Sequence, residues 1–215
     1  EKLINGMKTG LVLGAILLAT LGSWVLLSQR KETSLDEVDF ENLEVATFAG
    51  GCFWCMEASF EAQEGVVEAI SGFTGGTVEN PTYAQVISGQ TGHLEAVQVY
   101  YDPNLISFEE LLDVFWCSID PTDDEGQFTD KGPQYRTAVF YHDEEQRSLA
   151  EGSRAQLDSS GIFERPVVTE IRSYETFYQA EEYHQDYYKK NVLRYKTYEE
   201  GSGRPNFFEK YWDNK

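Results

Sequence analysis

From Val45 onward, short strand-like runs alternate with segments of helical period. "VATFA" over Val45–Ala49 reads as a buried strand, and Cys52–Gln63 follows with helical spacing. Val66–Phe73 returns to strand character and closes on Gly75-Gly76, and Leu94–Tyr101 alternates as a half-buried strand stopped by Asp102-Pro103. Ser107 is placed to cap a helix whose first turn carries Glu109 and Glu110. Phe108, Leu111, Leu112, Phe115 and Ile119 then share its apolar face. A strand over Arg136–Tyr141, a polar helix over Asp143–Asp158 and a strand over Val167–Ile171 complete the pattern. This order predicts an α+β fold, a two-layer split β-α-β plait of the ferredoxin-like kind with a long irregular C-terminal tail.

The N-terminal pattern is different. Gly10–Leu27, "GLVLGAILLATLGSWVLL", is an uncharged apolar run just long enough to span a bilayer. "SWVLLSQRK" offers a poor cleavage site, so residues 1–31 are expected to be an uncleaved N-terminal hydrophobic anchor helix, with a buried core helix as the alternative. Lys8 on one flank nearly balances Arg30 and Lys31 on the other, which sets orientation only weakly. The expectation is a membrane-anchored protein with its body on the periplasmic or extracytoplasmic side; the cytoplasmic side is the alternative. Residues 32–44 form an acidic linker, and residues 45–215 the functional domain.

Composition narrows the classes. With 41% hydrophobic and 25% charged positions in 215 residues, the chain supports a packed core. A formal charge of −20 without a basic stripe argues against nucleic-acid binding, which needs clustered Lys and Arg. Three cysteines leave an odd thiol in any pairing, which favours reactive sulfur over a disulfide scaffold. Tyr and Phe number 13 each, enough for a core and for an apolar pocket.

"FAGGCFWCMEASF", residues 48–60, holds two of those cysteines. Gly50-Gly51 let a strand turn sharply into a helix, and unpaired N–H groups at the helix start favour a thiolate at Cys52. Cys55 lies one turn on, within disulfide reach. A tetrahedral zinc site needs a second ligand pair, yet only Cys117 and the isolated His93, His142 and His184 remain, so no metal is expected. A thioredoxin-like disulfide exchange protein is the other reading of C-x-x-C. Against it, Phe53 and Trp54 fill the gap where that family places small or turn-forming residues, and they suit a small apolar group.

"GCFWC" resembles the active-site signature of the peptide methionine sulfoxide reductase A family, in its Gly-Cys-Phe-Trp-Cys variant. "GFTGGTVENPTYAQVISGQTGHLEAVQVYYDP" at Gly72–Pro103 is similar to that family's second block. "DVFWCSIDPTDDEGQFTDKGPQYRTAVFY" at Asp113–Tyr141 resembles the third, and "AEEYHQDYY" at Ala180–Tyr188 the fourth. The resemblance implies thiol-dependent reduction of methionine-S-sulfoxide, free or in oxidised proteins, as repair under oxidative stress. Cys52 is then the nucleophile that becomes a sulfenic acid, and Glu95 the acid that protonates the sulfoxide oxygen. Phe53 and Trp54 match the methyl-binding wall, Tyr83 and Tyr135 the oxygen-contacting tyrosines, and Asp130 a positioning carboxylate. No bound cofactor is implied; thioredoxin or a thioredoxin-like protein serves as reductant, and the enzyme is expected to be monomeric.

Each of these residues has a plainer role open to it. Glu95 could face solvent, Tyr83 and Tyr135 could be ordinary half-buried rings, and Phe53 and Trp54 could belong to the core. His93 and His184 have no chemical step that needs them and read as structural hydrogen-bonding residues. The C-terminal cysteines that resolve the sulfenic acid in many members are absent, and "NVLRYKTYEEGSGRPNFFEKYWDNK" resembles the cysteine-free endings of the variant. Cys55 is the expected resolving cysteine, with Cys117 as the alternative.

Overall fold

The computed structural model describes residues 42–212. The anchor expected over 1–31 and most of the linker over 32–44 lie outside the described residues. Among the described residues no helix is long and apolar enough to cross a membrane.

The chain runs through β1 (Glu44–Gly50), α1 (Phe53–Glu61), β2 (Val66–Thr74), α2 (Tyr83–Val86), β3 (Leu94–Tyr101) and α3 (Phe108–Cys117). A two-residue hairpin, β4 (Gly126–Gln127) and β5 (Asp130–Lys131), precedes β6 (Thr137–Tyr141) and α4 (Glu144–Ser159). β7 (Glu170–Ser173), β8 (Phe177–Gln179), α5 (Tyr187–Lys190), α6 (Val192–Ser202) and α7 (Arg204–Tyr211) follow. Six strands form one sheet in the order β7-β6-β1-β3-β2-β8, antiparallel except for the β6–β7 pair.

Register decides which residues share a face. Phe48 lies opposite Val97 on β3 and Val139 on β6, and together with Ala46 and Val99 these belong to the main core. Ala49, Ala96, Ala138 and Phe140 point the other way, against Tyr174 and Phe177. The Phe48 ring stacks on Phe60 of α1 at 4.8 Å and on Phe115 of α3 at 5.2 Å, so one side chain ties the sheet to both helices.

Local signals explain most of the elements. Ser107 caps α3 in a reciprocal capping box: its hydroxyl accepts from Glu110 N–H at 3.2 Å, while the Glu110 carboxylate accepts from Ser107 N–H at 2.8 Å. Asp143 caps α4 by accepting from Gln146 N–H at 2.8 Å.

Two expectations are corrected. The last strand, expected at Val167–Ile171, begins at Glu170. The N–H of Val167 goes to Asp158 and that of Val168 to the Pro121 carbonyl, both at 2.8 Å, so neither joins the sheet. The tail is helical rather than irregular. α6 lacks an apolar stripe, burying only Tyr195 and Ser202, which is why periodicity missed it. Gly203, at φ 94°, ends α6 in the left-handed region, and Pro205 sits in the first turn of α7.

Replacing Phe48 by Ala should cost about 3–5 kcal/mol of folding stability, because the cavity would open between three packed elements. Leu193→Ala, at a side chain 82% exposed, should stay within about 0.5 kcal/mol. Urea denaturation of both variants checks the contrast.

Candidate active site

β1 pairs with strands on both sides, which fixes the point where it hands the chain to α1. Gly51 makes the turn at φ 81°, and a Cβ there would lie 2.6 Å from the Gln127 Cβ and 2.8 Å from an Arg204 guanidinium nitrogen. Cys52 follows as the N-cap of α1. Its carbonyl accepts from Cys55 N–H at 3.2 Å and Met56 N–H at 3.3 Å. The two cysteines therefore share the first turn, 6% and 3% exposed, and both are free thiols.

Glu95 reaches this helix start from β3, the strand next to β1. It is 1% exposed and accepts from Phe53 N–H at 3.1 Å. Burial pushes its carboxyl well above the ordinary carboxylate range, and the charge of the Cys52 sulfur adds to the rise. The Phe53 N–H pulls the other way and does not offset it. Burial therefore favours the neutral form of this carboxyl beside the sulfur.

The cysteines depart from expectation. Burial pushes the Cys52 thiol up, whereas Cys55 is pulled down, first by its hydrogen bond with Cys52 and also by the Arg204 charge. A negative charge is therefore easier to place on Cys55 than on Cys52.

The aromatic residues converge on the same corner. Phe53 is fully buried, with ring centroids 5.9 Å from Phe73, 6.1 Å from Tyr83 and 5.0 Å from His184, so it is a core residue as well as a flank of the site. Trp54 is half-buried and stacks on Tyr187 at 3.8 Å with its indole N–H donated to His184 Nδ1 at 3.2 Å. His184 is the structural hydrogen-bonding residue expected of it. His93 is likewise structural, accepting from Gly76 N–H at 3.1 Å through Nδ1, with Nε2 2.7 Å from the Val78 carbonyl. Tyr83 and Tyr135 lie near each other and near Glu95; burial, with Glu95 next, raises both hydroxyls well above the usual phenol range. Asp130 accepts from the Tyr198 hydroxyl, which also meets Cys52.

A family model described as peptide methionine sulfoxide reductase matches residues 44–215. The chain belongs to that family. The peptide methionine sulfoxide reductase MsrA of Bacillus pumilus (strain SAFR-032) is 54% identical over 175 residues, covering 81% of this chain and 98% of that protein. MsrA 2 of Staphylococcus aureus (strain MW2) is 53% identical over 172 residues, covering 80% and 97%. Among solved structures, reduced Mxr1 from Saccharomyces cerevisiae aligns with a TM-score of 0.67 at 31% identity, over 72% of this chain and 88% of that one. Methionine sulfoxide reductase A of Corynebacterium diphtheriae aligns at 0.64 and 33%, over 71% and 77%.

In this member of the reductase family, Cys52, Cys55, Glu95, Phe53, Trp54, Tyr83, Tyr135 and Asp130 gather around one helix start. Cys117 lines a cavity of about 670 Å3 with Cys55, Phe128, Glu199 and Arg204. Sequence reasoning missed the covering residues of the tail. Tyr187 stacks on Trp54, Tyr195 and Tyr198 meet the two sulfurs, and Arg204 donates to the Gly50 carbonyl at 2.8 Å and the Ser118 carbonyl at 2.5 Å. Their only sequence signal was an aromatic-rich tail.

Glu57 was also missed. It sits on α1 and accepts from the Ser71 hydroxyl and from Asp186 N–H, each at 2.5 Å, fastening the segment that carries His184 and Tyr187 to the cysteine helix. Burial pushes its carboxyl up to about 8, and burial likewise takes the partly exposed Glu68 to about 7. Both bind their proton more tightly folded than unfolded, where a Glu titrates near about 4.3. Their contribution is full below that value and is lost as pH rises toward 8. The urea midpoint should therefore fall as pH climbs through this window, and Glu57→Gln should flatten the fall by removing its share; a midpoint series from pH 4 to 9 checks this.

Proposed function

We propose that this chain reduces methionine-S-sulfoxide, free or in oxidised proteins, to methionine, and so repairs proteins after oxidative damage. As a family member it is an oxidoreductase of the peptide methionine sulfoxide reductase kind. The observation that carries the residue roles is the buried Glu95 carboxyl bonded to the helix start that presents Cys52.

A methyl sulfoxide seated beside Trp54 points its oxygen at Glu95, with the Tyr83 and Tyr135 hydroxyls as further donors. Glu95 gives the oxygen a proton as Cys52 attacks sulfur, and the Cys52 proton passes to Cys55, its hydrogen-bond partner. The oxygen leaves with Cys52 as a sulfenic acid, and methionine departs. Glu95 regains a proton from solvent. Cys55 then attacks the Cys52 sulfur, giving a disulfide and water, and a thioredoxin-type dithiol protein returns both thiols. No bound cofactor enters this scheme, because sulfur carries the electrons.

Several wider assignments belong to the same reading. Residues 45–215 form the catalytic domain, residues 32–44 an acidic linker, and residues 1–31 a membrane anchor holding a monomeric enzyme on the extracytoplasmic side; the apolar run Gly10–Leu27 supports the last. The inner strands β6-β1-β3-β2, all antiparallel, support a ferredoxin-like plait. Cys55 is preferred over Cys117 as resolver because it bonds Cys52 directly.

The test uses reduced full chain in detergent, without added reductant, and each sulfoxide epimer separately. One methionine per enzyme from the S epimer alone, with a Cys52–Cys55 disulfide found by mass spectrometry, is the expected result. Methionine from neither epimer would sink the assignment. Cys52→Ser should abolish the reaction, and Glu95→Gln should slow it by about 100-fold. The wild-type rate should fall at alkaline pH as Glu95 loses its proton, a limb that Glu95→Gln should lack.

A further inference from the structure

The resolving thiol has a problem that its partner does not. In the scheme above Cys55 receives the Cys52 proton, and it must lose that proton before it can attack the sulfenic acid. Buried at 3% exposure, it has little water to take it.

Tyr195 on α6 supplies a route. Its hydroxyl donates to Glu199 Oε1 at 3.0 Å, and Tyr195 packs with Cys55 in one buried cluster, where the hydroxyl can also bond the Cys55 sulfur. A phenol holds one proton and two lone pairs, so these two bonds are two placements of one chain. With the Tyr195 proton toward Glu199, the oxygen accepts from a Cys55 thiol. With the proton toward sulfur, it stabilises a Cys55 thiolate. Glu199 is only half-buried and lines the 670 Å3 cavity beside Cys55, where it can pass a proton to water.

We propose that Tyr195 and Glu199 form a proton relay that deprotonates Cys55 for the resolving step. The inference rests on the reading of Cys55 as resolver. The Cys55 proton moves to the Tyr195 oxygen as the Tyr195 proton moves to the Glu199 carboxylate. The Cys55 sulfur then forms a bond to the Cys52 sulfur, and the Cys52 S–O bond breaks. Hydroxide leaves with a proton from solvent as water, and Glu199 releases its proton to solvent. One sulfenic acid and one thiol become one disulfide and one water, with no further oxidant.

Charge placement favours this direction. Cys52, Tyr195, Tyr198, Arg204 and Glu199 lie around the Cys55 sulfur; Glu199 opposes a charge on sulfur and Arg204 supports one. A proton taken up by Glu199 removes the opposing charge at the moment the thiolate forms, while Arg204 stays in place. The pairing is specific to one sulfur. Three residues on, Tyr198 makes the corresponding bridge between Cys52 and Asp130.

The experiment follows methionine release and disulfide formation in the same rapid-quench samples of reduced full chain, across pH. In Tyr195→Phe, which keeps the ring, and in Glu199→Gln, methionine release should slow far less than disulfide formation. The Cys52–Cys55 disulfide should lag by about 100-fold, with Cys52 trapped by a sulfenic-acid reagent in the interval. The resolving rate of Tyr195→Phe should shift to higher pH, since its Cys55 ionises unaided. Disulfide formation at the wild-type rate in both variants would overturn the relay. Equal slowing of both steps would also overturn it, as a packing defect acts on both. A wild-type disulfide to Cys117 would instead bring down the resolver reading itself, with the relay.

Discussion

One backbone hydrogen bond, from Phe53 N–H to the Glu95 carboxyl, sets the geometry on which the site depends. The first N–H groups of any helix lack partners inside it, and here one of them is buried. Glu95 satisfies it from a strand hydrogen-bonded to β1, the strand that leads into the helix. The donor and acceptor are therefore held at a spacing fixed by the sheet. Glu95 needs only one oxygen for this bond, which leaves the other to carry the proton that burial enforces. The same contact thus caps the helix, positions Cys52 and orients an acid beside its sulfur.

Placing that sulfur in the core has a second consequence. A helix N-terminus is worth about 0.3–1 kcal/mol to a negative charge at an exposed site and up to about 2 when partly buried. Full burial can move a thiol by several units in the other direction, at about 1.4 kcal/mol per unit. Burial wins at Cys52. Cys55 escapes the same fate because Cys52 donates to it and Arg204 lies close. The spacing of the two cysteines in one helical turn therefore lets them share one proton.

The longer strands and helices through Tyr141 were legible in the sequence because each carries a local signal, whereas the four-residue α2 and the two-residue β4 and β5 were not read. Leu94–Tyr101 alternates, Ser107 and Glu110 make a capping box, and Gly50-Gly51 mark the turn into α1. Of the eight candidate site residues, Cys52 and Cys55 were readable from their spacing at a helix start and the others came through the resemblance; nothing in the spacing of Glu95, Tyr83 or Asp130 from Cys52 implies contact. Past Glu170 the signals fade. β8 has three residues on a sheet edge, and α6 buries Tyr195 and Ser202 without an apolar stripe. Glu57 looked like one more charge on an acidic chain, and only the approach of Ser71 and Asp186 reveals what it holds.

The faint pattern of the tail and its place over the cysteines have a common physical origin. A segment docked by an apolar stripe announces itself in the sequence. This one is docked in large part by polar bonds: Arg204 to two carbonyls, Tyr188 to Glu61 at 2.5 Å, and Asp186 N–H to Glu57. Such bonds leave no period to read. They also contribute about 1 kcal/mol each, modest beside the 3–5 kcal/mol carried by a single core ring such as Phe48. With both sulfurs buried, a partner as large as a protein could reach them only if part of the cover moved. A cover held by a few polar contacts can open at far less cost than the core beneath it, which keeps β1 and Glu95 in register while it does.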